Sequence, residues 1–117
     1  MLTIDYQLKN KIDNFQKETM RLQELFAEWL EESKDVSNPF VVPTISVLQK
    51  QGNQLLDEGN SLMTYIQSQE IKNPQIQLLI ITNCMAMLNR LLCSCNNIML
   101  VHNNHKKLKK LLRGKLI

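Results

Sequence analysis

Cys93, Cys95, His102 and His105 stand close together in a chain of 117 residues that holds three cysteines and two histidines in all. Thiolate and imidazole are zinc ligands, and four of them would fill a tetrahedral site. The spacing argues against that use. Cys-x-Cys is not a usual zinc clip, and on a continuous helix Cys93 and Cys95 point about 200° apart. His102 and His105 would share a helix face, but Cys95 would lie about 10 Å along the axis from His102. Buried cysteines behave as small hydrophobes, so these residues are expected to serve packing, with no metal and no cofactor. Catalytic sets fare no better. The chain lacks a glycine-rich phosphate loop, a nucleophile elbow, HExxH and a redox CxxC. Asp57-Glu58 reads as a surface pair rather than a carboxylate dyad with two separate environments. The residue inventory therefore predicts no enzyme.

A second chemistry is electrostatic. Residues 1–70 hold all eleven acids and six basic residues, a net charge of −5, whereas residues 71–117 hold eight basic residues and no acid, a net of +8. Lys106, Lys107, Lys109, Lys110, Arg113 and Lys115 supply six of those eight cations, interleaved with Leu108, Leu111 and Leu112. Such a cluster fits a polyanion: nucleic acid, an acidic membrane or a microtubule surface. The leucines at helical spacing also fit a helix laid in a groove. The plainer reading is a solvated helix end whose lysines complement the helix dipole. No aromatic residue interleaves with the cluster, so base stacking is not supported.

The elements that must carry these residues are helices. Hydrophobic residues make up 44% of the chain, aromatics only 5%, with three glycines and three prolines, too few turn residues for a sandwich or barrel. The prolines divide the chain into helices at about 5–33, 40–69 and 74–105, followed by a basic amphipathic extension over 106–117. In the first helix Leu8, Ile12, Phe15, Thr19, Leu22, Phe26 and Trp29 recur at alternating steps of four and three, a heptad seam with one polar position. Asn38-Pro39 and Asn73-Pro74 read as cap-then-proline starts for the second and third helices. The second seam is Ile45, Leu48, Leu55, Leu62 and Ile66, and its two missing places are Gly52 and Gly59. A glycine costs a helix up to about 1 kcal/mol against alanine. The pair therefore reads either as notches for bulky side chains, Phe26 and Trp29 being the candidates, or as a break near Asp57-Glu58-Gly59-Asn60. The third segment is apolar nearly all round, from Ile76 to Val101. A helix of that kind is usually buried on several sides, and two companions cannot easily cover it, which predicts a partner chain. Its run of apolar residues is interrupted by Gln77, Asn83, Asn89, Arg90, Asn96 and Asn97, so no transmembrane span is expected.

Asp35-Val36, Pro39-Phe40 and the leucines that follow make Lys34 to Leu62, about a quarter of the chain, resemble a stretch of one small subunit of the augmin spindle complex. Asn89-Arg90 and the basic helix end are similar to the helical domain of a GINS replication subunit, although that family's paired basic motif before a cysteine is not matched. Both resemblances imply non-catalytic subunits of helical assemblies, and neither carries a residue's role onto this chain.

The expectation is an all-α, antiparallel three-helix bundle with coiled-coil-like heptad seams, or a four-helix one if the second helix breaks. Its expected function is to lend helix faces to protein partners, through Leu56 and Met63 on the second helix and Leu78, Ile81, Met85, Leu88 and Leu92 on the third. Polyanion binding at Lys106–Lys115 is the alternative. An odd cysteine count and the lack of a signal-like start predict an intracellular protein, cytoplasmic or nuclear.

Overall fold

The computed structural model describes residues 2–69 and 74–116, with side chains over 6–69 and 74–114. It holds three helices packed on one another, α1 (Leu2–Glu32), α2 (Val41–Ser68) and α3 (Pro74–Leu116), and no strand among the described residues. The body is elongated, 73 × 22 × 16 Å. At about 1.5 Å per residue, α3 alone runs to about 64 Å, while α1 and α2 reach only about 42–47 Å. The longest helix therefore outruns the other two.

Each helix buries one stripe. In α1 the stripe is Leu8, Ile12, Phe15, Thr19, Leu22 and Phe26, with Trp29 partly buried. Thr19 is fully buried, and its hydroxyl donates to the Phe15 carbonyl at 2.8 Å. One polar side chain thus enters the core without leaving an unpaired group. In α2 the stripe is Val41, Ile45, Leu48, Gly52, Leu55, Gly59, Leu62 and Ile66. The steps of four and three keep both stripes on one side of a helix of 3.6 residues per turn.

α2 is unbroken through Gly59, and its glycines are points of close approach. A Cβ at Gly52 would stand 2.9 Å from Leu92 Cδ2 and 3.7 Å from Leu22 Cδ2. At Gly59 it would stand 2.9 Å from Phe15 Cζ and 3.0 Å from Met85 Cγ. The expected notches exist, but their occupants are Phe15, Leu22, Met85 and Leu92 rather than Phe26 and Trp29. Both of the latter lie nearer the end of α1, beyond the level of the glycines.

The α1–α2 connection is built from short polar side chains folding onto their own backbone. The Asp35 carboxylate accepts from the Ser37 hydroxyl at 2.6 Å and from the Ser37 amide at 3.0 Å. These bonds, the hydroxyl first, hold the Asp35 carboxyl below its ordinary pKa, aided by the more distant charge of Lys109. The Asn38 side-chain oxygen accepts from the Phe40 amide at 3.0 Å. Phe40, not Asn38, occupies the cap position of α2. Pro43 falls in the first turn, where its missing N–H would have had no helical partner. The cap expected at Asn73 lies outside the described residues.

Candidate interaction surface on the third helix

α3 is continuous through Asn96-Asn97, Asn103-Asn104 and the lysines, so the basic end is the last part of this helix rather than a separate extension. Its buried positions are Ile81, Cys84, Leu88, Cys95 and His102, with Leu78, Met85, Leu91, Ile98 and Met99 packed partly against them. Ile81, Leu88, Cys95 and His102 are spaced by sevens and define the face turned toward α1 and α2.

That face separates the candidate zinc ligands. Cys95 is enclosed, and burial pushes its thiol up to about 11. Burial also raises the Cys84 thiol, opposed by the neighbouring Thr19 hydroxyl. Cys93, two residues away from Cys95, is exposed. The two sulfurs of Cys93-Ser94-Cys95 therefore face different environments. His102 is only 7% exposed, and its Nε2 lies 3.4 Å from the Ser33 carbonyl oxygen. A seam histidine thus ties α3 to the end of α1. Its place is readable from the series of sevens, a signal obscured by the apolar residues on all sides of α3. No group of three or more His, Cys, Asp or Glu residues arranged to hold a metal occurs among the described residues.

The residues expected to meet a partner sit mostly inward. Ile81 and Leu88 are 0% exposed, enclosed by the chain's own helices, and have no surface to offer. Met85 and Leu92 fill the space beside the α2 glycines, and Leu56, Met63 and Leu78 pack partly against the core. The exposed apolar residues of α3 are others: Ile76 and Leu79 near its start, Leu100 and Val101, then Leu108, Leu111 and Leu112, each more than half exposed. Between residues 74 and 105 the helix carries a single charge, Arg90. α1, of nearly the same length, carries eleven. The Gln49 and Asn96 side-chain amides join α2 to α3 along one flank of this surface.

Beyond His105 the described side chains of α3 have no cover. Lys106, Lys107, Lys109, Lys110 and Arg113 are all exposed, as are the leucines between them. Lys115, the sixth cation expected there, has its side chain outside the described residues. Residues 106–114 extend about 14 Å past the last partly buried position.

No family model, characterised protein or solved structure matches this chain. Its function must be read from the surface alone. By length and composition α3 also qualifies as a membrane span: an 18-residue window has a mean hydropathy of 1.6, and 22% of that window is buried in the bundle.

Proposed function

We propose that this chain is a non-catalytic helical subunit of a larger protein assembly, an antiparallel bundle with heptad seams that lends a helix face to partner subunits. The order of contacts supports the antiparallel reading: along α2, Gly52 meets Leu22 and Leu92, and Gly59 meets the earlier residues Phe15 and Met85. The observation that carries the functional reading is the outward face of α3. Ile76, Leu79, Leu100 and Val101 are exposed on a helix with one charge in its first 32 residues. Exposed apolar surface with little charge is the mark of a contact surface. The absence of a spanning role rests on the packed seam of α3 and on its asparagines and Arg90, because polar groups turned toward lipid tails are costly. The odd cysteine count favours a reducing compartment, cytoplasm or nucleus.

The test is light scattering after size exclusion on the chain alone at several concentrations. Concentration-dependent association, relieved by Ile76→Lys with Leu79→Lys, is the expected result. A monodisperse monomer at all concentrations would sink the subunit reading.

A second reading has its own observation. The uncovered basic end of α3 supports a polyanion-binding module, whose affinity would fall steeply with added salt because releasing bound counterions into a saltier solution gains less.

A further inference from the structure

We propose that the overhanging end of α3, residues 106–114, with the exposed Leu100 and Val101 just before it, is an interfacial anchor that lies on an anionic lipid surface. This deepens the polyanion reading and rests on it.

At about 100° per residue, Val101, Leu108 and Leu112 fall within about 40° of one another on the helix surface. Lys106, Lys110 and Arg113 fall within about 60° of one another, on nearly the opposite side. The overhang is thus a two-faced helix, with Lys109 and Lys107 on the two borders between its apolar and cationic sides and Leu111 beside Lys107. No residue from 71 to 117 is acidic, so no carboxylate within this stretch offsets the cations. Asp35, in the α1–α2 connection, feels one of them, Lys109, and Ser37 already occupies that carboxylate through two hydrogen bonds.

Three anionic partners compete for such a surface, and the apolar side decides among them. Nucleic acid would neutralise the lysines but leave Val101, Leu108 and Leu112 in water, and the stretch offers no aromatic ring for a base to stack on. An acidic protein groove is usually entered by aromatic anchors seated in pockets, and the stretch holds no Trp, Tyr or Phe. A bilayer surface accepts both sides at once. Leucine and valine enter the boundary between headgroups and acyl chains, while the lysine stems reach back to the phosphates. Position also fits: the described side chains past His105 are free of the bundle, so the helix can lie down on a surface without disturbing the core.

The experiment is flotation of the full chain with vesicles of phosphatidylcholine alone or mixed with phosphatidylserine, set beside binding to heparin as a soluble polyanion. The chain should float with the phosphatidylserine vesicles and not with the neutral ones. Each cation near an anionic surface contributes about fivefold in affinity, so the combined change Lys106→Gln, Lys107→Gln, Lys109→Gln and Lys110→Gln should weaken flotation several hundredfold. Leu108→Ser with Leu112→Ser should weaken flotation about tenfold or more and leave heparin binding unchanged. All six positions lie on the exposed side of His102, so the melt of the bundle should not move. Heparin binding without flotation would overturn the lipid proposal and leave the polyanion reading standing. Flotation that is indifferent to the two leucine changes would also overturn it. Binding to neither probe would remove both.

Discussion

Two stretches of α3 differ in what surrounds them rather than in what they are made of. From Leu78 to His102 its side chains meet the notches of α2, the ring of Phe15 and the last turn of α1. From Lys106 onward leucines continue at helical spacing, yet every side chain described there is in solvent. The same helix is thus a core element over one part and a surface element over the other. Helical periodicity alone does not establish burial, since burial also requires that the neighbouring helices extend far enough.

The largest test of that contrast is Phe15→Ala. The ring is fully buried and fills the space at Gly59. Its loss should cost about 3–5 kcal/mol, a large part of the roughly 5–15 kcal/mol available to such a domain, seen as a fall in the urea midpoint. Leu111→Ala, on the overhang, should leave that midpoint in place.

The three glycines give a finer series. Gly59→Ala sets a methyl 2.9 Å from the Phe15 ring and 3.0 Å from Met85. Overpacking costs about 1–3 kcal/mol, and helix propensity returns up to about 1 kcal/mol, so a net loss of about 1–2 kcal/mol is expected. At Gly52 the nearest atom is the end of the flexible Leu92 side chain, also at 2.9 Å. Leu92 can turn aside, and Gly52→Ala should be close to neutral in the same denaturation experiment.

The cysteines make the comparison by chemistry. Alkylation of the native chain should label Cys93 readily, while Cys84 and Cys95 should react only as the bundle opens, which peptide mass mapping would show. In the folded state the Cys95 thiol is raised from 9.0 to about 11. Between those values the unfolded chain has lost the proton that the folded chain keeps, so stability falls as the pH climbs through this window. Cys95→Ala should flatten that fall in melts recorded at rising pH. If Cys95 is alkylated as fast as Cys93 in the native chain, the enclosed face is wrongly placed.

The smallest effect is expected at Gly114. A Cβ there meets nothing within 4 Å. Gly114→Ala should raise helicity locally, by up to about 1 kcal/mol, visible by circular dichroism, with no change in the main transition because the overhang opens separately from the core.

Much of this arrangement is legible in the sequence. The stripes of α1 and α2 could be read because polar residues fill the positions between Leu8, Ile12 and Phe15, and between Ile45, Leu48 and Leu55. The notches at Gly52 and Gly59 could be read for the same reason. Their occupants could not, because the level at which one helix passes another depends on the connection between them. α3 hid its inward stripe, since Ile80, Met87, Leu91 and Ile98 crowd the positions beside Ile81, Leu88 and Cys95. Ile81 and Leu88 therefore read as partner-facing positions in the sequence, whereas the bundle itself encloses them. The basic end was legible as a charge cluster, but its rigid continuity with α3 was not, because the four asparagines of Asn96-Asn97 and Asn103-Asn104 read equally well as breaks.

The spacing of the two α2 glycines has a consequence for sliding. If α2 slipped by one heptad, about 10.5 Å along its axis, Gly52 would arrive opposite Phe15 and Met85 and find the same vacancy. Ile45 would then arrive opposite Leu22 and Leu92, where no side chain now stands. One of the two detents would still engage and the other would jam. The pair therefore works as a vernier: a single glycine would tolerate several alignments of the rods, whereas two at a fixed interval accept one.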